Sequence, residues 1–191
     1  MKTSHCVIAI LVLVGLMLAG CSDQQQSPVS SVSSNIPGSL QKVETLQYTG
    51  YDFPVALIDP GNVREEGGRR ITQHLMIQER LITTTPLLTG TMADDICSRV
   101  DIATGEGSFN GKGTVTPDDQ SVGGVWHWSA HGQTVRTGES EWTTSMDLVG
   151  HGQGGRIQGM QIFARGTLIS TSNPPAGWTG TVEGYIKYSA N

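Results

Sequence analysis

The run Val122-Gly123-Gly124-Val125-Trp126-His127-Trp128-Ser129-Ala130-His131-Gly132-Gln133 alternates: Trp126, Trp128 and Ala130 fall on one parity, His127, Ser129 and His131 on the other. A period of two, with large apolar side chains on one side and hydrogen-bonding ones on the other, marks a strand with one face on a core and one in water. The same pattern recurs downstream. Trp142, Thr144, Met146 and Leu148 share a face, as do Met160, Ile162, Ala164 and Leu168, and then Val182, Gly184, Ile186 and Tyr188. The opposite parity carries Glu141, Asp147, Gln161, Arg165, Glu183 and Lys187, as expected of the wet face of an antiparallel sheet.

Turn chemistry separates these segments. Pro117-Asp118-Asp119-Gln120, Arg136-Thr137-Gly138 and Asn173-Pro174-Pro175-Ala176-Gly177 punctuate strands expected over 108–116, 122–133, 140–151, 157–170 and 178–188. Upstream, 70–84 reads as a long strand ended by Pro86, and 87–103 as one bent strand or two short ones. Over 41–68, Val43, Leu46, Tyr48 and Tyr51 indicate one strand, and Pro54, Pro60 and Gly61 predict a long loop after it. No stretch has a helical period long enough to compete. The expectation is an all-β fold, a single antiparallel barrel of about seven or eight strands; a two-sheet sandwich satisfies the same alternation. Closure removes exposed edges, and Gly111, Gly113, Gly159 and Gly166 within strands permit the bends it needs.

The N-terminus specifies an address. Lys2 precedes an apolar run from Val7 to Gly20, shorter than the roughly 20 residues of a membrane-spanning helix, so residues 1–20 read as a signal peptide. Its ending, Leu18-Ala19-Gly20-Cys21, resembles the lipobox of bacterial lipoproteins. That resemblance implies a diacylglycerol on the sulfur of Cys21, cleavage before it, acylation of the new amino group, and a lipid-anchored protein of the bacterial cell envelope. More than one acyl chain gives stable anchoring, each buried methylene contributing about 0.8 kcal/mol. Ser22 after the cysteine resembles the sorting pattern of outer-membrane lipoproteins in enteric bacteria. Residues 21–40, rich in Ser, Gln and Pro, read as a flexible tether holding the 41–191 domain roughly 25 Å from the bilayer.

Of 191 residues, 12 are basic and 17 acidic. Lys2 leaves with the leader, so 11 basic residues face 17 acidic ones and the mature net charge is −6. Nucleic acid is excluded as a natural partner, and attachment rests on the lipid rather than on a basic patch. Cys97 becomes the single remaining thiol once Cys6 is discarded and Cys21 is lipidated, so no intramolecular disulfide is expected.

From Leu88 onward the domain resembles small bacterial β-barrels related in shape to allene oxide cyclase and dirigent proteins. The resemblance rests on Leu88-Thr89-Gly90, on 107–113, on Gly124-Val125-Trp126-His127-Trp128, and on Gly150-His151-Gly152-Gln153-Gly154-Gly155 leading to Gly159-Met160-Gln161. It implies a barrel, and allows an enzyme acting on an apolar substrate inside it. It carries over no catalytic residue, and with no catalytic constellation in the sequence the working expectation is a non-enzymatic binding domain, with the enzyme as the alternative.

The motifs otherwise read as structural. Gly150, Gly152 and Gly155 spell G-x-G-x-x-G, but strand follows where the dinucleotide fingerprint needs a helix, so no nucleotide cofactor is expected. Lys112 lacks the spacing of a phosphate loop, and no G-x-S-x-G elbow exists around Ser140. His127 and His131 lie about 13 Å apart on a strand, too far to share one ion; His151 with one of them and Asp147 could do so only across strands. No metal is expected. Cys97 reads as a small buried hydrophobe; Asp94, Asp95, Asp101, Glu106 and Glu183 could include a general acid, but nothing in the sequence brings two together and most read as solvated charges. Trp126, Trp128 and Trp142 remain as the lead: they fill the lumen or line a cavity in it that takes a small apolar ligand, with contact to an envelope partner as the other use of the domain.

Overall fold

The computed structural model describes residues 42–172 and 177–189. The chain separates into Met1–Ser39 and Leu40–Asn191. The first unit, on which the expected signal peptide, Cys21 and most of the expected tether fall, lies outside the described residues. The second holds nine strands: β1 Val43–Asp59, β2 Asn62–Glu66, β3 Arg69–Thr83, β4 Gly90–Asp101, β5 Gly107–Pro117, β6 Val125–Gly138, β7 Glu141–Gln153, β8 Gln161–Ser170 and β9 Thr179–Ser189, with a 3₁₀ turn at Gly155–Ile157.

Every neighbouring pair is antiparallel, and the sheet closes because β1 pairs with β9 on one side and β3 on the other. The result is an eight-stranded antiparallel barrel with β2 as an extra strand on β3. The sandwich alternative falls with that closure. The long loop expected after Tyr51 is not there. Pairing of β1 with β9 ends at Asp52–Gly180, so from Phe53 the strand has one neighbour, β3, and behaves as an edge. An edge tolerates Pro54, and bulges at Pro54/Ala56 and Leu57/Asp59 absorb the irregularity. Residues 90–101 likewise form one strand rather than two.

The alternation sets the interior. Trp126, Trp128 and Ala130 point inward, as do Ile162, Ala164 and Ile186 from β8 and β9. One barrel end is plugged where Leu88, Val122, Trp126 and Ile157 are almost wholly buried, and Trp126 Nε1 donates a hydrogen bond to the Leu87 carbonyl at 2.8 Å. The G-x-G-x-x-G glycines serve this plug and the β7–β8 connection. A Cβ at Gly152 would strike the Ile157 backbone, and Gly155 (φ +54) lies against the Val122 carbonyl.

Candidate functional site

Alternation also carries acids inward. On β3, Glu79 shares its parity with Ile77 and Leu81; on β4, Asp94 shares its parity with Met92; on β1, Asp52 follows Tyr48 by four residues. All are buried: Asp52 is 9 % exposed, Glu79 4 % and Asp94 3 %. Strands β1, β3 and β4 are consecutive around the barrel, so the three carboxyls meet, and Glu79 shares hydrogen bonds with both Asp52 and Asp94. Two glycines make room. A Cβ at Gly113 would lie 2.8 Å from Asp94 Oδ1 and 2.9 Å from the Trp128 ring, and one at Gly180 would overlap the Asp52 carboxyl.

Three carboxylates cannot sit ionised together in an apolar lumen. Burial, followed by the charges of Asp94 and Asp52, pushes Glu79 up to about 10. Burial pushes Asp94 up to about 8, and it raises Asp52 as well. No basic group contributes to any of the three, so protons rather than a counter-cation neutralise the cluster. Glu79, the group held most firmly protonated, donates to an Asp oxygen. Tyr48, also in the lumen, has its hydroxyl raised by burial.

Polar capacity is left over. Asp94 Oδ1 and Trp128 Nε1 are buried without a hydrogen-bond partner, an acceptor or acid and a donor beside the same glycine. Next to them is an apolar cavity of about 60 Å³ whose lining includes Tyr48, Asp52, Met92, Trp128, Met146 and Ile162. Ligand pockets commonly exceed about 300 Å³. The space suits a small group, and anything larger must displace Met92 and Met146, the most adaptable side chains of the lining.

No family model matches this chain, and no curated protein or solved structure does either. The chemistry therefore rests on its own residues.

The three tryptophans separate. Trp128 lines the cavity, Trp126 belongs to the plug, and Trp142 lies at the opposite rim. Trp142 is eight residues along β7 from Gly150, the cross-strand partner of Trp128, or about 26 Å. There its Nε1 donates to the Thr104 carbonyl at 2.8 Å, and the Arg136 guanidinium sits 5.8 Å from the ring centroid. Expected neighbours in the sheet, they share a face but not a place.

Asp94 needs correcting: it is a buried lumen acid rather than a solvated charge. It and Asp95 are adjacent in sequence and therefore face opposite sides of β4. Asp101 accepts hydrogen bonds from the backbone N–H groups of Ala103 and Thr104, which hold its carboxyl below the usual range, and Glu106 accepts from the Arg136 N–H. Glu183 is on the outer face, opposite Arg165. Cys97 is half-buried on the outer face with Asp95, not a core residue. His127 stacks on His151 across β6 and β7 with ring centroids 5.5 Å apart, while His131 stands opposite Asp147.

Outside, an open groove of about 710 Å³ crosses β7, β8, β9 and β1. Val149, Phe163 and Tyr185 form one wall, with the two rings stacked at 5.1 Å, and Asp147, Arg165 and Glu183 form the other.

Proposed function

We propose that this chain is a lipid-anchored protein of the bacterial envelope whose barrel lumen takes a small, mainly apolar molecule bearing one hydrogen-bonding group and handles a proton on it. The observation that carries the reading is the cluster Asp52–Glu79–Asp94, protonated acids beside an apolar cavity with Asp94 Oδ1 and Trp128 Nε1 unpaired. Strongly shifted acids in a cavity are where acid–base sites are found. A protonated acid of the cluster donates to a carbonyl or hydroxyl oxygen of the guest, and a carboxyl oxygen of Asp52, which lines the cavity, accepts. General acid catalysis of an isomerisation or cyclisation is the reaction class this arrangement fits. The likeness to allene oxide cyclase and dirigent barrels supports the same direction. The address rests on Leu18-Ala19-Gly20-Cys21 and its resemblance to a lipobox. No helix among the described residues is long and apolar enough to cross a membrane.

The test is titration of the 41–191 fragment with phenols, fatty acids or terpenoids while intrinsic fluorescence is followed. A response is expected that is lost in Trp128→Phe, kept in Trp142→Phe, and weakened in Glu79→Gln for ligands carrying a carbonyl or hydroxyl. A response that survives Trp128→Phe places binding elsewhere. The outer groove favours a second reading, contact with an envelope partner: an apolar wall of Val149, Phe163 and Tyr185 faces a charged one, as in the core and rim of a protein interface. Tyr185→Ala would abolish that contact and leave the fluorescence titration unchanged.

A further inference from the structure

On the outer face, β3 and β4 slip register between Thr72 and Leu75. Thr72 pairs with Ser98 and Leu75 with Ile96, so Gln73 and His74 together stand opposite Cys97. Such a bulge re-aims a side chain. His74 adopts φ +57, the only positive φ at a non-glycine position among the described residues, a left-handed conformation that L side chains rarely adopt. The consequence is a convergence. Nδ1 of His74 lies 3.2 and 3.3 Å from the two oxygens of Asp95, and the donor atoms of His74, Asp95 and Cys97 all lie within 4.8 Å of one another. Cys97 is a free thiol, and the His74 side chain is 66 % exposed, so an ion can reach the group from solvent.

We infer that His74, Asp95 and Cys97 form a surface site for a borderline divalent cation of the zinc type. Imidazole nitrogen, carboxylate oxygen and thiolate sulfur are the donors zinc takes, at about 2.0–2.3 Å, and three protein ligands leave a fourth position for water. Bonds of that length put donors about 3.3–3.7 Å apart, so the trio closes by about 1 Å, within the swing of an exposed imidazole. The Cys97 thiol gives its proton to solvent as the metal–sulfur bond forms. Lys112 Nζ, 3.8 Å from Asp95, is the cation now facing that carboxylate, and the dication displaces it. The site is independent of the lumen: Asp95 and Cys97 are on the opposite side of β4 from Asp94.

The test uses the full-length chain in detergent and Co²⁺ as the probe. One cobalt per chain is expected, with a thiolate-to-cobalt charge-transfer band in the near ultraviolet that Zn²⁺ abolishes. Cys97→Ser should remove the band, His74→Gln should weaken binding at least about tenfold, and Lys112→Ala should bind at least as tightly as the parent. Far-UV circular dichroism checks the fold of each variant. Absence of the band in the folded parent, or a band that persists in Cys97→Ser, overturns the assignment; Lys112→Ala binding more weakly would do the same.

Discussion

Glu79→Gln is the sharpest perturbation of the lumen. Glutamine matches glutamate in shape, keeps a donor for Asp52 and Asp94, and removes one titrating group. Glu79 moves from 4.5 up to about 10 on folding, and Asp94 from 3.8 up to about 8. Both folded-state values lie above the unfolded ones. Between about pH 5 and 7 the folded chain therefore keeps two protons that the unfolded chain has released, and stability falls as pH rises. Each proton contributes a slope of about 1.4 kcal/mol per pH unit, so Glu79 and Asp94 together cost the parent about 2.7 kcal/mol per unit, the raised Asp52 acts in the same direction, and Glu79→Gln removes about 1.4 of it. The loss continues until pH passes the folded values near 8 and 10. Exposed carboxylates held low, such as Asp101 and Asp118, act oppositely but only below their ordinary 3.8, outside this window. Urea midpoints of the 41–191 fragment at pH 5, 6 and 7 measure the slopes. A parent stability that is flat or rises over this range, or an unchanged slope in Glu79→Gln, would mean that the lumen acids are ionised in the folded chain.

Cys21→Ala should abolish incorporation of radiolabelled fatty acid and leave the precursor uncleaved or soluble; continued labelling ends the lipoprotein reading. Trp126→Ala, in the plug, should cost about 3–5 kcal/mol in urea unfolding, whereas Trp142→Phe, which gives up one rim hydrogen bond to Thr104, should cost about 1 kcal/mol. Gly180→Ala drives a methyl onto the Asp52 carboxyl and the Leu168 side chain and should cost about 1–3 kcal/mol. An unchanged midpoint there would mean that Asp52 is not held in the lumen.

The barrel was legible because period-two patterning survives in β6 to β9, where one face is dry and the other wet. It failed over residues 54–66, where prolines and glycines suggest a loop and only the one-sided pairing of β1 with β3 explains why they sit in strand. The lumen acids were legible in part. Ile77-Gln78-Glu79-Arg80-Leu81 puts Glu79 on the apolar parity, and Met92-Ala93-Asp94 does the same for Asp94. The rule that acids face water outweighed that parity. What parity cannot supply is the neighbourhood: β1 reaches β3 through barrel closure, so nothing local brings Asp52 to Glu79. The His74 site needs a register slip, which no periodicity announces. Trp142 shows the converse limit, since facing was right while position along the strand separated it from Trp128.

At neutral pH the lumen should hold protonated acids, and the carboxyl carbon of Glu79 is the probe that sees this first. In a ¹³C NMR titration of the 41–191 fragment, with Glu79→Gln assigning the resonance, Glu79 should be protonated at pH 7 with a midpoint near 10. A midpoint near the ordinary 4.5 would contradict that protonation.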